Sequence, residues 1–273
     1  DLGGAQGLGN ISLTSTGTTT ISSTVIASSF TQNSVTGTTA INGGSITTTG
    51  VQAYGNAVTL GSALTTLSTT NSNITFSNTL NGSTSARALT LSAGSGAVSF
   101  NGIVGGTLAL GAVNSTAATT TNSATISGAG AYNVTGAAAF NAAVSSVASI
   151  SVSGATAIGA SITTTGSQAY NGNTTLTANT TLTTTNSDVT FGGTLNGNAA
   201  GKTLTIAAGT GSATFTGAVG GSAVLGATAI TASTTTNSST WVGNSALGIT
   251  GNAVMNGAIS GITTLSVSGT SSI

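Results

Sequence analysis

The side chains that could carry acid–base or nucleophilic chemistry are very few in this sequence. Only Asp1, Arg87, Asp188 and Lys202 are charged, and there is no His and no Cys among the 273 residues. General acid–base catalysis by carboxylates needs two of them close together, and one of the two present here lies at the terminus. A Ser or Thr nucleophile would lack a side-chain base. We therefore predict that the chain is not an enzyme and has no catalytic residues.

The same composition argues against bound metals and cofactors, and we predict none. Calcium sites need several carboxylates and thiolate zinc sites need Cys, while the Gly-Gly pairs lack the context of a phosphate-binding loop. Nucleic acid is excluded as a partner because two cations cannot neutralise several phosphates. No run approaches the roughly 18 apolar residues of a membrane helix, so no membrane-spanning segment is predicted.

A long internal repeat must position the few charged residues. The sequence Ser-Ile-Thr-Thr-Thr-Gly at 45–50 returns at 161–166, and 71–106 returns as 186–221 with 18 of 36 positions identical. A repeat this long is built from smaller units that stack and share one core. We divide the single predicted domain, 1–273, into a partial repeat at 1–41 and two full repeats at 42–158 and 159–273.

The repeat gives two interpretations of the charged side chains. Arg87 and Lys202 hold equivalent positions, within 83–88 and 198–203. They either contact a neighbouring subunit or a polysaccharide, or they are solvated loop tips. Asp188 aligns with Asn73, which indicates that its charge is incidental.

Strand signals recur as triplets of apolar, Ser or Thr, and apolar residues. Examples are 74–76 (Ile-Thr-Phe) and 89–91 (Leu-Thr-Leu), and Gly and Asn cluster between such triplets. Alternation of this kind places two side chains inward and one hydroxyl outward. The segment 17–21 also returns 20 residues later as 37–41. We predict an all-β fold, a parallel β-helix (β-solenoid) of roughly 20-residue coils with a 115-residue super-repeat.

A hairpin sandwich is the alternative, because Asn-Gly between alternating strands is a hairpin signal. Sandwiches, however, do not need translational self-similarity, so the repeat favours the solenoid.

Aromatic residues recur at equivalent positions and have two interpretations. They either form a ligand-stacking face or fill the core, and core filling is favoured because the matches keep size and apolarity. Asn at repeated turns (Asn71 with Asn186, and Asn81 with Asn196) could also stack into amide ladders. The matched apolar pairs are Phe76 with Phe191, Phe100 with Phe215, Tyr54 with Tyr170, and Phe140 with Met255.

The repeats resemble those of a known family over most of the chain. Residues 163–172 read Thr-Thr-Thr-Gly-Ser-Gln-Ala-Tyr-Asn-Gly, and 181–191 read Thr-Leu-Thr-Thr-Thr-Asn-Ser-Asp-Val-Thr-Phe. This pattern is similar to repeats of large filamentous-haemagglutinin-type bacterial surface proteins, which are exported adhesins. The resemblance implies a right-handed parallel β-helix, export through the outer membrane, and an adhesive or structural role at the cell surface. This chain departs from the family in its smaller size, and no secretion domain is visible at its amino terminus.

These features favour a structural function over a pocket. The formal net charge is 0, which removes the self-repulsion that keeps molecules apart. Neither end of the sequence shows the charges or Pro that cap soluble solenoids, so we expect axial polymerisation. The leading hypothesis is a structural subunit of a self-assembling extracellular filament, with copies of itself stacked head to tail as partners. Cell-surface or matrix polysaccharide is a further possible partner.

Two alternatives stay open. The chain could be a rod-like shaft fragment of a bacterial surface adhesin, or an ice-binding or surface-binding solenoid with outward Thr arrays. Thr runs at 47–49 and 183–185 invite the second alternative. Their uneven spacing along the sequence argues against it, because a regular array needs a Thr-x-Thr in one phase on every coil.

Overall fold

The chain is all-β, as predicted. A computed structural model describes residues 3–4 and 6–273, and these residues form β-strands and turns without a helix. The strands stack in about 13 turns of roughly 20 residues each, which is a β-solenoid. Two compact units, Asp1–Ala137 and Ala138–Ile273, make up the chain. The repeat boundaries at 42–158 and 159–273 describe sequence equivalence and stay a prediction.

The strands that begin in the first unit are short until residue 110 and longer after it. They are β1 (Leu8–Leu13), β2 (Thr18–Ile21), β3 (Val25–Gln32), β4 (Thr38–Ile41), β5 (Ser45–Thr48), β6 (Gln52–Tyr54), β7 (Ala57–Leu60), β8 (Leu64–Thr69), β9 (Ile74–Phe76), β10 (Leu80–Gly82), β11 (Arg87–Ser92), β12 (Ala97–Phe100), β13 (Leu110–Asn122) and β14 (Ala129–Phe140). The division between the two units falls inside β14.

The second unit repeats this pattern of short and long strands. Its strands are β15 (Val144–Val152), β16 (Thr156–Ile158), β17 (Ile162–Thr164), β18 (Gln168–Tyr170), β19 (Thr174–Leu176), β20 (Thr180–Thr183), β21 (Val189–Phe191), β22 (Leu195–Gly197), β23 (Lys202–Ala207), β24 (Ala213–Phe215), β25 (Leu225–Asn237), β26 (Trp241–Val242), β27 (Leu247–Met255), β28 (Ile259–Ser260), β29 (Leu265–Val267) and β30 (Ser271–Ser272).

Three parallel ladders run through the first unit. β1 stacks on β3, whose first part begins the ladder β5–β8–β11–β13 and whose second part begins the ladder β6–β9–β12–β13. The third ladder is β2–β4–β7–β10, continued by single bridges at Val104 and Ile126. Thr18 pairs with Thr38, so the 20-residue period read from the sequence is the register of one coil.

The second unit contains three equivalent ladders. β15 begins two of them, β17–β20–β23–β25–β27–β29 and β18–β21–β24–β25–β27–β30. The third runs from the end of β14 through β16, β19 and β22, and then through Val219 to β26 and β28. All of these pairings are parallel, so the hairpin alternative is excluded for the ladders of both units.

The predicted alternation of inward and outward side chains is confirmed. Ile74 and Phe76 are buried while Thr75 between them is half-exposed. Aromatic rings from successive coils lie in contact along the core of each unit, with centroids 5.0–5.4 Å apart over Phe30–Tyr54–Phe76–Phe100. The second unit has centroid distances of 5.1–5.3 Å along the series Tyr170, Phe191, Phe215 and Trp241. These rings are at most 1% exposed, so they fill the core and form no ligand-stacking face.

A β-bulge interrupts the pairing of β25 with β27. The register shifts between Thr231 and Thr234, where β25 carries one residue more than its partner. Gly251 of β27 lies opposite the bulge and has a φ of 123°. A Cβ on it would overlap the carbonyl oxygen of Ala232. Gly136, the equivalent residue of the first unit, has a φ of 118°. Only glycine adopts this backbone without strain, so both repeats keep it.

Candidate functional site

Each charged residue that the structure describes contacts neighbours within its own unit. Asp1 lies outside the described residues. The Asp188 carboxylate accepts a hydrogen bond from the backbone N–H of Ser212, at 2.8 Å, one coil further on. Asn73 accepts the same bond from Ala97 at 2.9 Å. Because an amide and a carboxylate oxygen fill the same place, Asp188 links two coils and its charge is not required for that bond.

Arg87 and Lys202 begin strands and do not form loop tips. They are the first residues of β11 and β23, where both are half-buried. Their aliphatic stems pass close to glycines, since a Cβ on Gly82 or Gly197 would lie 3.2 or 3.1 Å from the Cγ of Arg87 or Lys202. The Arg87 Nε is buried and has no hydrogen-bond partner. The loop-tip interpretation is therefore wrong, and contact with a subunit or polysaccharide stays a prediction.

No metal-binding group and no membrane helix occur in the part of the chain that the structure describes. Residues 3–4 and 6–273 contain no group of three or more His, Cys, Asp or Glu side chains. Over the same residues, no helix has the length and apolarity needed to cross a bilayer.

A buried polar network stands at the corner between β5 and β6, and sequence reasoning missed it. Gln52 is fully buried, and its Nε2 donates to the carbonyl oxygens of Ile46 at 2.9 Å and Ser68 at 2.8 Å. The hydroxyl of Tyr54 donates to Gln52 Oε1 at 2.9 Å. The side-chain amide is thus hydrogen-bonded through both its nitrogen and its oxygen, as a fully buried polar group requires.

The second unit contains the same network. Gln168 Nε2 donates to the carbonyls of Ile162 and Thr183 at 3.3 and 2.9 Å, and the Tyr170 hydroxyl donates to Gln168 Oε1 at 3.0 Å. Burial raises the pKa of the Tyr54 and Tyr170 phenols above the usual value, so both stay neutral hydrogen-bond donors. The spacing Gln-x-Tyr in both repeats, in a sequence with only four Gln, was the available signal.

A second buried network differs between the units. In the first unit, Asn122 Nδ2 donates to the Tyr132 hydroxyl at 3.0 Å. Burial raises the pKa of Tyr132, and the hydrogen bond with Asn122 lowers it by less. The equivalent of Tyr132 in the second unit is Leu247, and there Asn237 donates to the carbonyl of Ser239 while its Oδ1 has no partner. The buried asparagine side chain is therefore less completely hydrogen-bonded in the second unit than in the first.

Turn asparagines connect coils differently from the predicted amide ladders. Asn71 and Asn186 adopt φ values of 57° and 55°. Their Oδ1 atoms accept hydrogen bonds from the backbone N–H of Ser95 at 3.0 Å and Thr210 at 3.1 Å. Each side chain thus bonds to the main chain of the next coil, because no asparagine lies opposite it there. One direct amide pair does form, between Asn133 and Asn114 at 2.9 Å, outside these turns.

Outward side chains form uncharged columns along the first unit. Ser45, Thr66, Thr90 and Asn114 stack in one column. A second column lies two residues further along each strand and consists of Thr47, Ser68, Ser92 and Thr116. Ser68 Oγ lies 3.1 Å from Thr47 Oγ1. The Thr runs are unevenly spaced in the sequence because the turns between strands differ in length. The strands nevertheless pair in register, so the hydroxyl groups line up although their spacing in the sequence suggested otherwise.

Comparison with known proteins adds no relative. No protein-family model, no curated protein and no solved structure matches this chain. The resemblance to filamentous-haemagglutinin-type repeats therefore stays a prediction.

Proposed function

We propose that this chain is a structural subunit of a self-assembling extracellular filament, in which β-solenoids stack end to end. The observation that carries the proposal is the combination of in-register parallel ladders with outward columns that lack charge. Over residues 6–273 only Arg87, Asp188 and Lys202 carry a charged side chain. Charged side chains are one means of preventing edge-to-edge association of strands, and they are nearly missing here.

Repetition of the hydrogen-bond geometry supports the same proposal. The Gln52 and Gln168 networks match bond for bond, as do the turns of Asn71 and Asn186. A unit whose strand register recurs in this way can be extended by a further unit of the same kind. The proposed partner is therefore another copy of this chain.

Electron microscopy of the purified protein at low concentration tests the proposal. We expect unbranched fibres with an axial repeat close to one chain length. Isolated rods at every concentration would contradict assembly and favour the adhesin-shaft alternative. Analytical ultracentrifugation over a concentration series gives an independent measure of the same equilibrium.

A matched pair of charge variants shows whether assembly is axial. Ser12 on β1 and Thr75 on β9 lie in one outward column, which runs through Thr31 and Ala53. Ser12→Lys places a charge on β1, at one end of this column, and should suppress fibres. Thr75→Lys places it within the column and should leave axial assembly intact. Equal effects of the two variants would instead indicate lateral association.

A second candidate function is binding to ice or another ordered surface through the hydroxyl columns. The observation that favours it is the register of Thr66 with Thr90 and of Thr47 with Ser68. Hydroxyls would then recur at the strand spacing of about 4.8 Å along the column. Thermal hysteresis of the purified protein tests it, with Thr90→Lys as the variant expected to remove the effect. A wild-type protein without hysteresis would exclude ice as the surface.

The location and the polysaccharide partner rest on the family resemblance. We propose that the chain is secreted and held at a bacterial cell surface or in a matrix. Detection of the protein in the extracellular fraction of the producing cells would support this location, and its retention in the cytoplasm would contradict it. Binding to purified surface polysaccharide, measured by co-sedimentation, tests the partner.

A further inference from the structure

Six Asn-Gly pairs occur in the chain, and the structure divides them into two groups. Asn-Gly is the dipeptide in which the following backbone nitrogen most easily reaches the side-chain carbonyl, because glycine has no Cβ to obstruct the approach. The six asparagines are Asn42, Asn81, Asn101, Asn171, Asn196 and Asn256.

In the first group, the nitrogen that would react is engaged in a hydrogen bond. The N–H of Gly43 donates to Ile21 at 2.9 Å, that of Gly82 to Leu108 at 3.4 Å, and that of Gly197 to Ala223 at 3.2 Å.

The asparagine side chains that precede Gly82 and Gly197 are also occupied. The Oδ1 atoms of Asn81 and Asn196 accept backbone hydrogen bonds from Thr107 and Ser222, both at 2.9 Å. Each of these two asparagines is also half-buried within a strand.

In the second group, the nitrogen that would react is free. Asn101, Asn171 and Asn256 are exposed, and each follows an inward residue at a strand end. Their own backbone N–H groups donate to the previous coil at 2.8, 2.9 and 2.9 Å. The N–H of the glycine that follows forms no hydrogen bond within the described structure, and neither does the asparagine side chain.

We propose that Asn101, Asn171 and Asn256 are sites of spontaneous deamidation in the folded protein. The glycine nitrogen loses its proton to solvent base and attacks Cγ of the asparagine. The new N–Cγ bond closes a five-membered succinimide, the Cγ–Nδ2 bond breaks, and ammonia leaves. Water then opens the ring at either carbonyl. Opening at Cγ gives aspartate, and opening at the main-chain carbonyl gives isoaspartate.

This modification changes both the charge of the surface and the packing of the turns. Each conversion adds one negative charge, so three conversions take the formal net charge from 0 to −3. Isoaspartate also adds a backbone atom at a turn that packs directly on the turn of the previous coil, since a Cβ on Gly102 would overlap the backbone of Asn78. The expected product is an older population that is acidic and locally mispacked.

Peptide mapping by mass spectrometry tests the proposal on the intact protein. The folded chain is incubated in mildly alkaline buffer, digested with a protease of broad specificity, and assayed for aspartate and isoaspartate at all six positions. We expect conversion at Asn101, Asn171 and Asn256 to be at least about tenfold faster than at the other three, which must first break a hydrogen bond.

Two controls separate the effect of structure from that of sequence. In urea the six rates should converge, because every pair is then solvated. A variant with Asn101→Gln, Asn171→Gln and Asn256→Gln should keep its isoelectric point during incubation while the wild type becomes more acidic. Equal rates at all six positions of the folded protein, or faster conversion at Asn81 and Asn196, would overturn the proposal. The outcome is independent of whether the chain forms filaments.

Discussion

At the residue scale, the two repeats provide internal controls for each other. Val58 and Thr174 hold equivalent inward positions, paired with Thr39 and Thr156 respectively. Thr174 is 1% exposed and its hydroxyl has no hydrogen-bond partner. Burying a hydroxyl without a partner costs free energy, and Val has nearly the same shape without that cost.

We therefore expect Thr174→Val to raise the free energy of unfolding by about 1 kcal/mol. The midpoint of urea unfolding, at unchanged m-value, measures this change. Val58→Thr is the matched control and should lower stability. A loss of stability in Thr174→Val would mean that a water or an unrecognised acceptor satisfies the hydroxyl.

The corner network predicts that substitution of Gln168 lowers stability more than substitution of Tyr170. Gln168→Leu leaves the carbonyls of Ile162 and Thr183 and the hydroxyl of Tyr170 without their partner. We expect it to cost about 2–4 kcal/mol, because three hydrogen bonds are lost at about 1 kcal/mol each and the buried hydroxyl of Tyr170 loses its acceptor. Tyr170→Phe removes a single bond and should cost about 1 kcal/mol. Equal costs in urea unfolding would contradict a network centred on the glutamine.

Polar residues of this kind are hard to predict from sequence. Gln52 and Gln168 belong to a residue type that is mostly exposed, so their burial is not expected from composition. Their bonds run to main-chain carbonyls one coil away, which only the register reveals. The sequence does show a Gln two residues before a Tyr once in each repeat. This repeated spacing is the only sign of the network in the sequence.

At the element scale, the bulge between β25 and β27 predicts a sharp difference between two glycines of one strand. Gly251→Ala places a side chain at a φ of 123° and against the carbonyl of Ala232, and should cost at least about 2 kcal/mol. Gly248 lies on the same strand, and a Cβ added to it would lie 4.0 Å from the carbonyl oxygen of Thr228, its nearest atom apart from the adjoining residues. Gly248→Ala should be neutral or stabilising by up to about 1 kcal/mol.

Thermal or urea unfolding of the two variants measures the difference. If Gly251→Ala were tolerated as well as Gly248→Ala, β27 would have to relax its register with β25. Hydrogen exchange at Thr250 and Asn252 would detect that relaxation.

The strands themselves were largely predictable and the coil lengths were not. The triplet at 74–76 predicted inward and outward positions correctly because alternation on a strand depends only on local residue order. Stacked residues, by contrast, are 18 apart at Ala138 and Thr156 and 24 apart at Ile74 and Val98. The additional residues of the longer coils lie in turns outside the core. Turn residues do not follow the apolar alternation of the strands, so their number cannot be predicted from that pattern.

At the scale of the whole molecule, the composition predicts an unusual dependence of stability on pH. Burial raises the pKa of Tyr54, Tyr132 and Tyr170, whereas the pKa of an unfolded tyrosine is about 10. The stability that depends on these groups is therefore complete below pH about 10 and is lost as the pH rises toward the folded pKa values.

We expect constant stability between about pH 5 and 9, because no His is present, and then a fall of up to about 4 kcal/mol per pH unit, about 1.4 for each of the three phenols. Urea unfolding across this range measures the curve. Tyr132→Phe should reduce the alkaline slope by about one third. A slope between pH 5 and 9, or an alkaline limb unaffected by this variant, would contradict the assignment.

The stacking of coils has a mechanical consequence. Within a unit the strand ladders join each coil to the coils before and after it, so a pulling force on the chain should peel coils one after another. Every coil of roughly 20 residues would lengthen the tether by on the order of 70 Å, at 3.3–3.6 Å per extended residue. Single-molecule force spectroscopy should record a series of similar steps in place of one large rupture. Such a protein would dissipate tension gradually and shorten again when the load is removed.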